Sequence, residues 1–288
     1  MTPMSNGTVV SFVGLGNLGQ AMSLNLLDKG WALGVFDAVP RRIVPVIAAG
    51  AHEVDVPDLG NCDVLCIAVS DDAAVRKLLN DRLLGHLTKD HTLILHSTVL
   101  PSTARSLAEL VAPTGARFLD VPVSGGAERA RSGKLTLFAG GEGDDLAAVR
   151  PLLDSMAENV FHMGPVGAGS ATKLANQLIT FSALAGVGEA LRLAGEFDVR
   201  EEDVLRAVAT GTGDTWIGRN WGFYDRLASD YDRIGTPVWQ RPWSKDLWDV
   251  VAAGRESRLA LPVAGLLAQI MAETVEDHAH ASELGVVQ

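Results

Sequence analysis

Up to the segment GPVGAG the chain alternates two hydrophobic patterns. Short apolar runs rich in Val, Leu, Ile and Phe (TVVSFVG, ALGVFD, DVLCIAV, TLILHS, ARFLDVPV and LTLFAG) read as strands. Between them QAMSLNLLDKG, AAVRKLLNDRLLG, PSTARSLAELVA and GDDLAAVRPLLDSM carry apolar residues at helical spacing. Asp71 and Asp72 precede the second of these, and acidic residues open the last, as suits helix N-termini. Strand and helix in alternation predict a parallel sheet wrapped by helices. Beyond GPVGAG the strand signal disappears. Residues 168–197 hold no proline and predict one helix of about 28 residues, ~42 Å long. Further helices are predicted in EEDVLRAVAT, in a Trp-rich region ending in KDLWDVVAAG, and in PVAGLLAQIMAETVEDHA. The expected organisation is an α/β unit over residues 1–165 and an all-helical unit over 166–288, joined by the long helix.

The first strand runs directly into G-x-G-x-x-G, formed by Gly14, Gly16 and Gly19, at the start of the first helix. In that context the motif predicts a dinucleotide site. Gly14 permits the tight turn, Gly16 lets the backbone approach a diphosphate, and Gly19 lets helix and strand pack closely. The diphosphate would rest on the helix N-terminus. The second strand closes on Asp37, roughly 20 residues past the glycines, where a carboxylate can accept hydrogen bonds from a ribose and repel a 2′-phosphate. That favours NAD over NADP, although Arg41 and Arg42 follow closely and soften the preference.

Composition narrows the partners. The 288 residues carry a net charge of −11, which argues against nucleic acid or an anionic membrane as the main partner but leaves room for a small anionic substrate. The N-terminus has neither a basic nor an apolar leader segment, and no apolar run reaches the ~18 residues of a transmembrane helix, so a cytoplasmic protein is expected. Cys62 and Cys66 lie too far apart along a strand for a disulfide and read as buried free thiols. The histidines show no metal-ligand spacing; His278 and His280 read as part of a polar tail, and no metal is expected. No G-x-S-x-G elbow is present.

Four blocks, VGLGNLGQAMSLNLLDKG, LDVPVSGGAERARSGKLTLFAGG, GPVGAGSATKLANQ and KDLWDVV, spread over most of the length, resemble the 3-hydroxyisobutyrate (β-hydroxyacid) dehydrogenase family. That family includes tartronate semialdehyde reductases and is similar to the first part of 6-phosphogluconate dehydrogenases. The resemblance implies a Rossmann-type doubly wound sheet, an all-α C-terminal domain that mediates oligomerisation as a homodimer or homotetramer, and hydride transfer between a nicotinamide and a short hydroxy acid. It implies cofactor contacts from Gly14, Leu15, Gly16, Asn17, Leu18, Gly19, Asp37, Val69, Ser70, Thr98 and Lys245. It also implies that Ser124, Gly125 and Gly126 hold the substrate carboxylate; the plainer alternative for Ser124 is a helix N-cap.

Lys173 corresponds to the family's acid/base lysine. Oxidising an alcohol sends a proton to a base, and a free lysine with pKa ~10.4 is too basic for that at neutral pH. Apolar surroundings favour the neutral amine and bring it toward the range suited to proton transfer. The alternative is a lysine whose stem lies on the helix while its head reaches water. Asn176 and Gln177 follow at three and four residues, on roughly the same helix face, and are expected to bind substrate. Many family members carry asparagine where this chain has Gln177, so the substrate pocket is expected to be reshaped. Lys245 and Asp246 resemble a family pair near the cleft mouth, against the alternative of a solvent-facing pair. Competing readings are an imine reductase, whose members usually lack the serine-glycine-glycine anchor and the lysine, and a non-catalytic nucleotide-binding module.

Overall fold

The apolar runs become a nine-stranded sheet in the computed structural model, which describes residues 7–55, 59 and 61–283. The beginning of the N-terminal stretch read for a leader lies outside the described residues. Contacts divide the chain into two compact units, Met1–Lys173 and Leu174–Gln288.

In the first unit the strands are β1 (Val10–Val13), β2 (Leu33–Phe36), β3 (His52–Glu53), β4 (Val64–Ile67), β5 (Thr92–Leu95), β6 (Arg117–Asp120), β7 (Val123–Ser124), β8 (Leu135–Gly140) and β9 (Ala157–Gly164). Their order is β3-β2-β1-β4-β5-β6-β8-β7, with β9 also on β8. Pairing is parallel from β3 to β6, antiparallel where β8 meets β6 and β7, and parallel again between β8 and β9. The helices are α1 (Asn17–Asp28), α2 (Val44–Ala48), α3 (Asp72–Leu78), α4 (Pro101–Val111), α5 (Gly126–Arg131) and α6 (Gly143–Met156).

Two separate apolar clusters cover the two faces of the sheet. Phe12, Cys66, Ile94 and Leu119 pack with Met22 and Leu26 of α1 and Leu152 of α6. Val13, Leu65, Ile67 and Leu95 pack with Val75 of α3 and Leu107 of α4. A sheet buried on both faces reads as continuous apolar runs, which is why these strands were legible. Strand β9 was not. Its residues are largely exposed and mix Glu, Asn and His with apolar groups, so nothing periodic marks them. Cys62 and Cys66 are both buried and free.

Helix α7 (Ala168–Gly195) follows the sheet, and the division between the units falls inside it rather than ahead of it. The reason is local. Gly169 lies so close to the sheet that a Cβ there would stand 2.3 Å from the Phe138 carbonyl oxygen and 2.4 Å from that of Asp120. The first turn of the helix is thus packed as part of the α/β unit.

The second unit continues with α8 (Glu201–Val208), α9 (Trp216–Arg219), α10 (Phe223–Ile234), α11 (Pro242–Glu256) and α12 (Pro262–Glu283). Its core joins Phe181, Tyr224, Trp243, Leu247, Leu267 and Met271. Arg241, almost wholly buried, is held by Glu276 and Asp232 and lies over the Tyr231 and Trp243 rings. His278 is not part of a loose tail: it is half-buried, bonds the Asp225 carboxylate at 2.8 Å and meets Trp221 edge-on. Asp225 holds its pKa above the ordinary histidine value.

His96, just past β5, is fully buried against Phe12. Its Nδ1–H donates to the Val121 carbonyl at 2.8 Å, while Nε2 has no protein partner. Burial pulls its pKa down to about 4, the bond to Val121 opposing. The unfolded chain therefore binds this proton from about pH 6.5 downward and the native chain only near 4, so acidification through that window favours unfolding. We expect wild type to lose about 3 kcal/mol more stability between pH 7 and 4 than a His96→Met variant. Denaturant melts of both across that range provide the check, and equal losses would refute it.

Candidate active site

The glycine turn is built by close approach. Gly14 has φ +91°, and a Cβ on it would lie 2.3 Å from the Ala68 carbonyl oxygen; a Cβ on Gly19 would lie 1.9 Å from that of Gly14. Gly16 differs, since a Cβ there meets nothing within 4 Å. Packing within the chain does not require glycine at position 16, so the open space beside its backbone is room for another molecule. Gly16 is the N-cap of α1, contributes no side-chain capping bond, and no acid occupies the first turn. The leading N–H groups of a helix, Asn17, Leu18 and Gly19 here, lack intrahelical acceptors and carry the positive end of its dipole. An anionic diphosphate fits that arrangement.

Asp37 lies beside the turn, just past β2, and is buried. Its carboxylate accepts from Leu15 N–H at 2.6 Å and from Val39 N–H at 2.7 Å. It therefore fastens the glycine turn to the second strand, a duty the motif does not reveal. The Arg42 guanidinium stands 3.8 Å away. Val69 and Ser70 follow β4 and Thr98 follows β5, so they lie at the carboxyl ends of strands, and the sheet order reverses between β1 and β4. Val69 N–H donates to Ser97 Oγ at 2.9 Å, Ser70 Oγ bonds Asp71 at 2.8 Å, and Thr98 is half-buried.

Ser124 ends β7, half-buried, and Gly125 and Gly126 follow with φ of +135° and +72°. Helix α5 is N-capped by Gly125 without a side-chain bond, so Ser124 is not spent as its cap. Lys173 is on α7 and only 9% exposed. The same unit holds a residue that sequence reasoning missed. Asp120, at the end of β6, is wholly buried; its Oδ1 accepts from Gly167 N–H at 2.8 Å, and its Oδ2 accepts from Ser170 N–H at 2.7 Å and Ser170 Oγ at 2.8 Å. Burial pushes its carboxyl up from the ordinary value while these donors pull it back. The available signal was an acid inside the apolar run FLDVPV, where an unpaired charge is too costly to leave.

In the second unit Gln177 Nε2 donates to Asp246 Oδ2 at 2.7 Å and its Oε1 accepts from Asn176 Nδ2 at 3.1 Å. A carboxylate only accepts, so Asp246 fixes which end of the amide faces it. Lys245 is not solvent-facing: it is largely buried and pairs with Asp249 at 2.5 Å and Asp246 at 3.4 Å. The structure thus collects Asn176, Gln177 and Asp246 around one amide, with Lys245 joined to them through Asp246.

A doubly wound sheet with an open glycine turn at its switch point, followed by an all-helical unit, defines a dinucleotide-binding protein, and the relatives make it a nicotinamide-dependent oxidoreductase. Residues 9–164 match the NAD binding domain of 6-phosphogluconate dehydrogenase, and residues 167–285 match the NAD-binding domain of NADP-dependent 3-hydroxyisobutyrate dehydrogenase. The chain belongs to the 3-hydroxyisobutyrate dehydrogenase family. It is 35% identical over 214 residues to a 3-hydroxyisobutyrate dehydrogenase of Pseudomonas aeruginosa, covering 73% of this chain and 72% of that one. It is 29% identical over 265 residues to an NAD-dependent L-serine dehydrogenase of the same organism, covering 89% of each. Among solved structures, the 3-hydroxyisobutyrate dehydrogenase of Mycobacterium tuberculosis with L-serine superposes with a TM-score of 0.81 at 27% identity, over 94% of this chain and 95% of that one.

Proposed function

We propose that the protein oxidises a short 3-hydroxy acid, or reduces the matching semialdehyde, with Lys173 as general acid/base. The observation that carries this reading is a lysine only 9% exposed on α7, in a chain that also keeps the uncommitted Ser124 beside two glycines of positive φ. A bound nicotinamide supplies or takes the hydride; this chain's residues do the rest. Ser124 and the turn after it grip the carboxylate. Lys173 takes the alcohol proton on oxidation and returns it on reduction. Gln177, one helical turn on and longer than asparagine by a methylene, offers an amide whose orientation Asp246 fixes.

NAD is the preferred cofactor in this reading, because the Asp37 carboxylate opposes a 2′-phosphate and, 3.8 Å from the Arg42 guanidinium, offsets the charge with which Arg42 would attract one. A spectrophotometric screen of NAD and NADP with short hydroxy acids and semialdehydes tests the assignment, with 3-hydroxyisobutyrate and L-serine first. Turnover of at least one short 3-hydroxy acid, with higher kcat/KM for NAD, is expected. No turnover of any such acid, or tenfold better kcat/KM with NADP, would overturn it.

The working form in this reading is a homo-oligomer assembled through the helical unit. Among the described residues α7 is the one helix long and apolar enough to cross a membrane, yet only 11% of its most apolar window is buried. Lys173, Asn176, Gln177 and Glu189 interrupt its apolar run. Ile179, Leu193 and Phe197 are 70%, 65% and 73% exposed. Ala183, Val187 and Ala190 of α7 and Val204 and Val208 of α8 line an apolar hollow of about 350 Å³. So much unburied apolar surface calls for a second copy. Sedimentation at micromolar concentration should give a dimer or larger species; a monomer would count against the assignment.

A further inference from the structure

The acid/base lysine sits on a helix whose first turn is fastened to the sheet at a single buried carboxylate. Asp120 receives three neutral donors from the start of α7, the N–H of Gly167 just ahead of the helix and both the N–H and hydroxyl of Ser170 in it. The fastening is tight on every side. A Cβ on Gly140 would lie 2.3 Å from Asp120 Oδ1, and one on Gly169 would lie 2.4 Å from the Asp120 carbonyl oxygen. Gly167 has φ +93°, so the chain turns sharply just where its N–H meets Asp120. Ser170 stands three residues before Lys173, on nearly the same face of α7. On the other side Asp120 stands four residues before Ser124, at the end of the strand that leads to the carboxylate-binding turn.

We propose that Asp120 is a positioning residue: by holding the first turn of α7 on the sheet, it sets where Lys173 stands relative to the turn at Ser124. The proposal rests on the reading of Lys173 as the acid/base group. Asp120 transfers no proton itself. Its two oxygens are committed to three donors, one just ahead of the helix and two in it, and an acceptor-only group is what those donors need. Asparagine would keep the shape but turn an amide N–H toward a backbone N–H. The first turn would then shift, and displacements of ~1 Å at a reacting group cost on the order of 10²-fold in rate.

The test uses full-length Asp120→Asn, Ser170→Ala, Lys173→Met and the Asp120→Asn/Lys173→Met double variant. Rates are measured with NAD on 3-hydroxyisobutyrate and L-serine, cofactor affinity by fluorescence titration, and amide hydrogen exchange over residues 167–172. Asp120→Asn should lower kcat by ~10–100-fold while leaving the NAD Kd within about threefold, and should speed exchange in that segment. Placed on top of Lys173→Met it should change the residual rate less than about twofold, because two residues that act as one unit are not additive. A merely structural residue would instead depress both backgrounds alike, and that result, or a kcat kept within about threefold of wild type, overturns the proposal. Should Asp120→Asn not fold, Ser170→Ala carries the test: it removes one donor of the three and should lower kcat ~3–10-fold, and an unchanged kcat overturns the proposal. Lys173→Met keeping more than about a tenth of wild-type kcat would defeat the lysine reading and, with it, the catalytic consequence assigned to Asp120. Accelerated exchange at residues 167–172 would then still show the fastening, so the two failures are distinguishable.

Discussion

Lys173→Met leaves the protein folded and its NAD affinity near wild type, while kcat falls ~10²–10⁴-fold, the usual worth of general acid/base help. Folding should survive because methionine is close to the apolar stem of lysine in length and fills the same space at a position only 9% exposed. Cofactor affinity should survive because Gly14, Gly16, Gly19 and Asp37 are untouched. Lys173→Arg should fail almost as badly, since a guanidinium keeps its positive charge and does not release its proton near neutral pH. Ser124→Ala should behave differently and mainly raise KM, because a carboxylate grip is made equally in the ground and transition states. Steady-state kinetics on the best substrate of the screen separate these outcomes. A Lys173→Met enzyme retaining more than about a tenth of wild-type kcat would remove the lysine from the mechanism.

The second large effect separates two glycines of one motif. Gly19→Ala places a methyl 1.9 Å from the Gly14 carbonyl oxygen, a contact of backbone with backbone that only a shift of strand or helix can relieve. A loss of ~1–3 kcal/mol or more is expected without any ligand. Gly16→Ala meets nothing within 4 Å, and the position has φ −65° and ψ −169°, open to alanine. Its melting temperature without cofactor should stay near wild type, the change of N-cap costing less than ~1 kcal/mol. The methyl would nonetheless stand where a diphosphate must approach the helix N-terminus. NAD affinity should fall ~10-fold or more, each factor of ten being about 1.4 kcal/mol. Thermal melts with and without NAD read both effects, because a ligand that binds only the native state raises Tm. If Gly16→Ala kept the full NAD-induced shift in Tm, the space beside Gly16 would not be the diphosphate site.

The contrast between these glycines shows how far sequence reading reaches. The spacing of the three glycines after an apolar run marked the turn and gave Gly16 and Gly19 different expected duties, approach of a ligand and close packing. The structure adds the distances: a Cβ at 19 meets backbone at 1.9 Å, and one at 16 meets nothing within 4 Å. Lys173 was conspicuous as a charge in an apolar helix. Asp120 was equally a charge in an apolar strand, yet its partners, Gly167 and Ser170, lie 47 and 50 residues away along the chain.

By itself the sequence determined what depends on near neighbours. The parallel strands from β1 to β6, apart from short β3, were legible because burial on both faces demands unbroken apolar runs. The long α7 was legible because no proline interrupts it, and the dinucleotide turn because a tight strand-to-helix junction needs glycine at fixed offsets. Only the tertiary structure decided what depends on distant partners. It paired exposed β9 with β8, buried His96 without a partner for Nε2, and placed Lys245, for which a solvent-facing pair had stood as the alternative, in a largely buried ion pair. It also tied the first turn of α7 to Asp120, so that the compact units divide inside the helix. The physical reason is the same in each case: a backbone pattern is fixed by residues a few positions apart, whereas the cost of a buried polar group is met by whichever donor or acceptor the fold brings near.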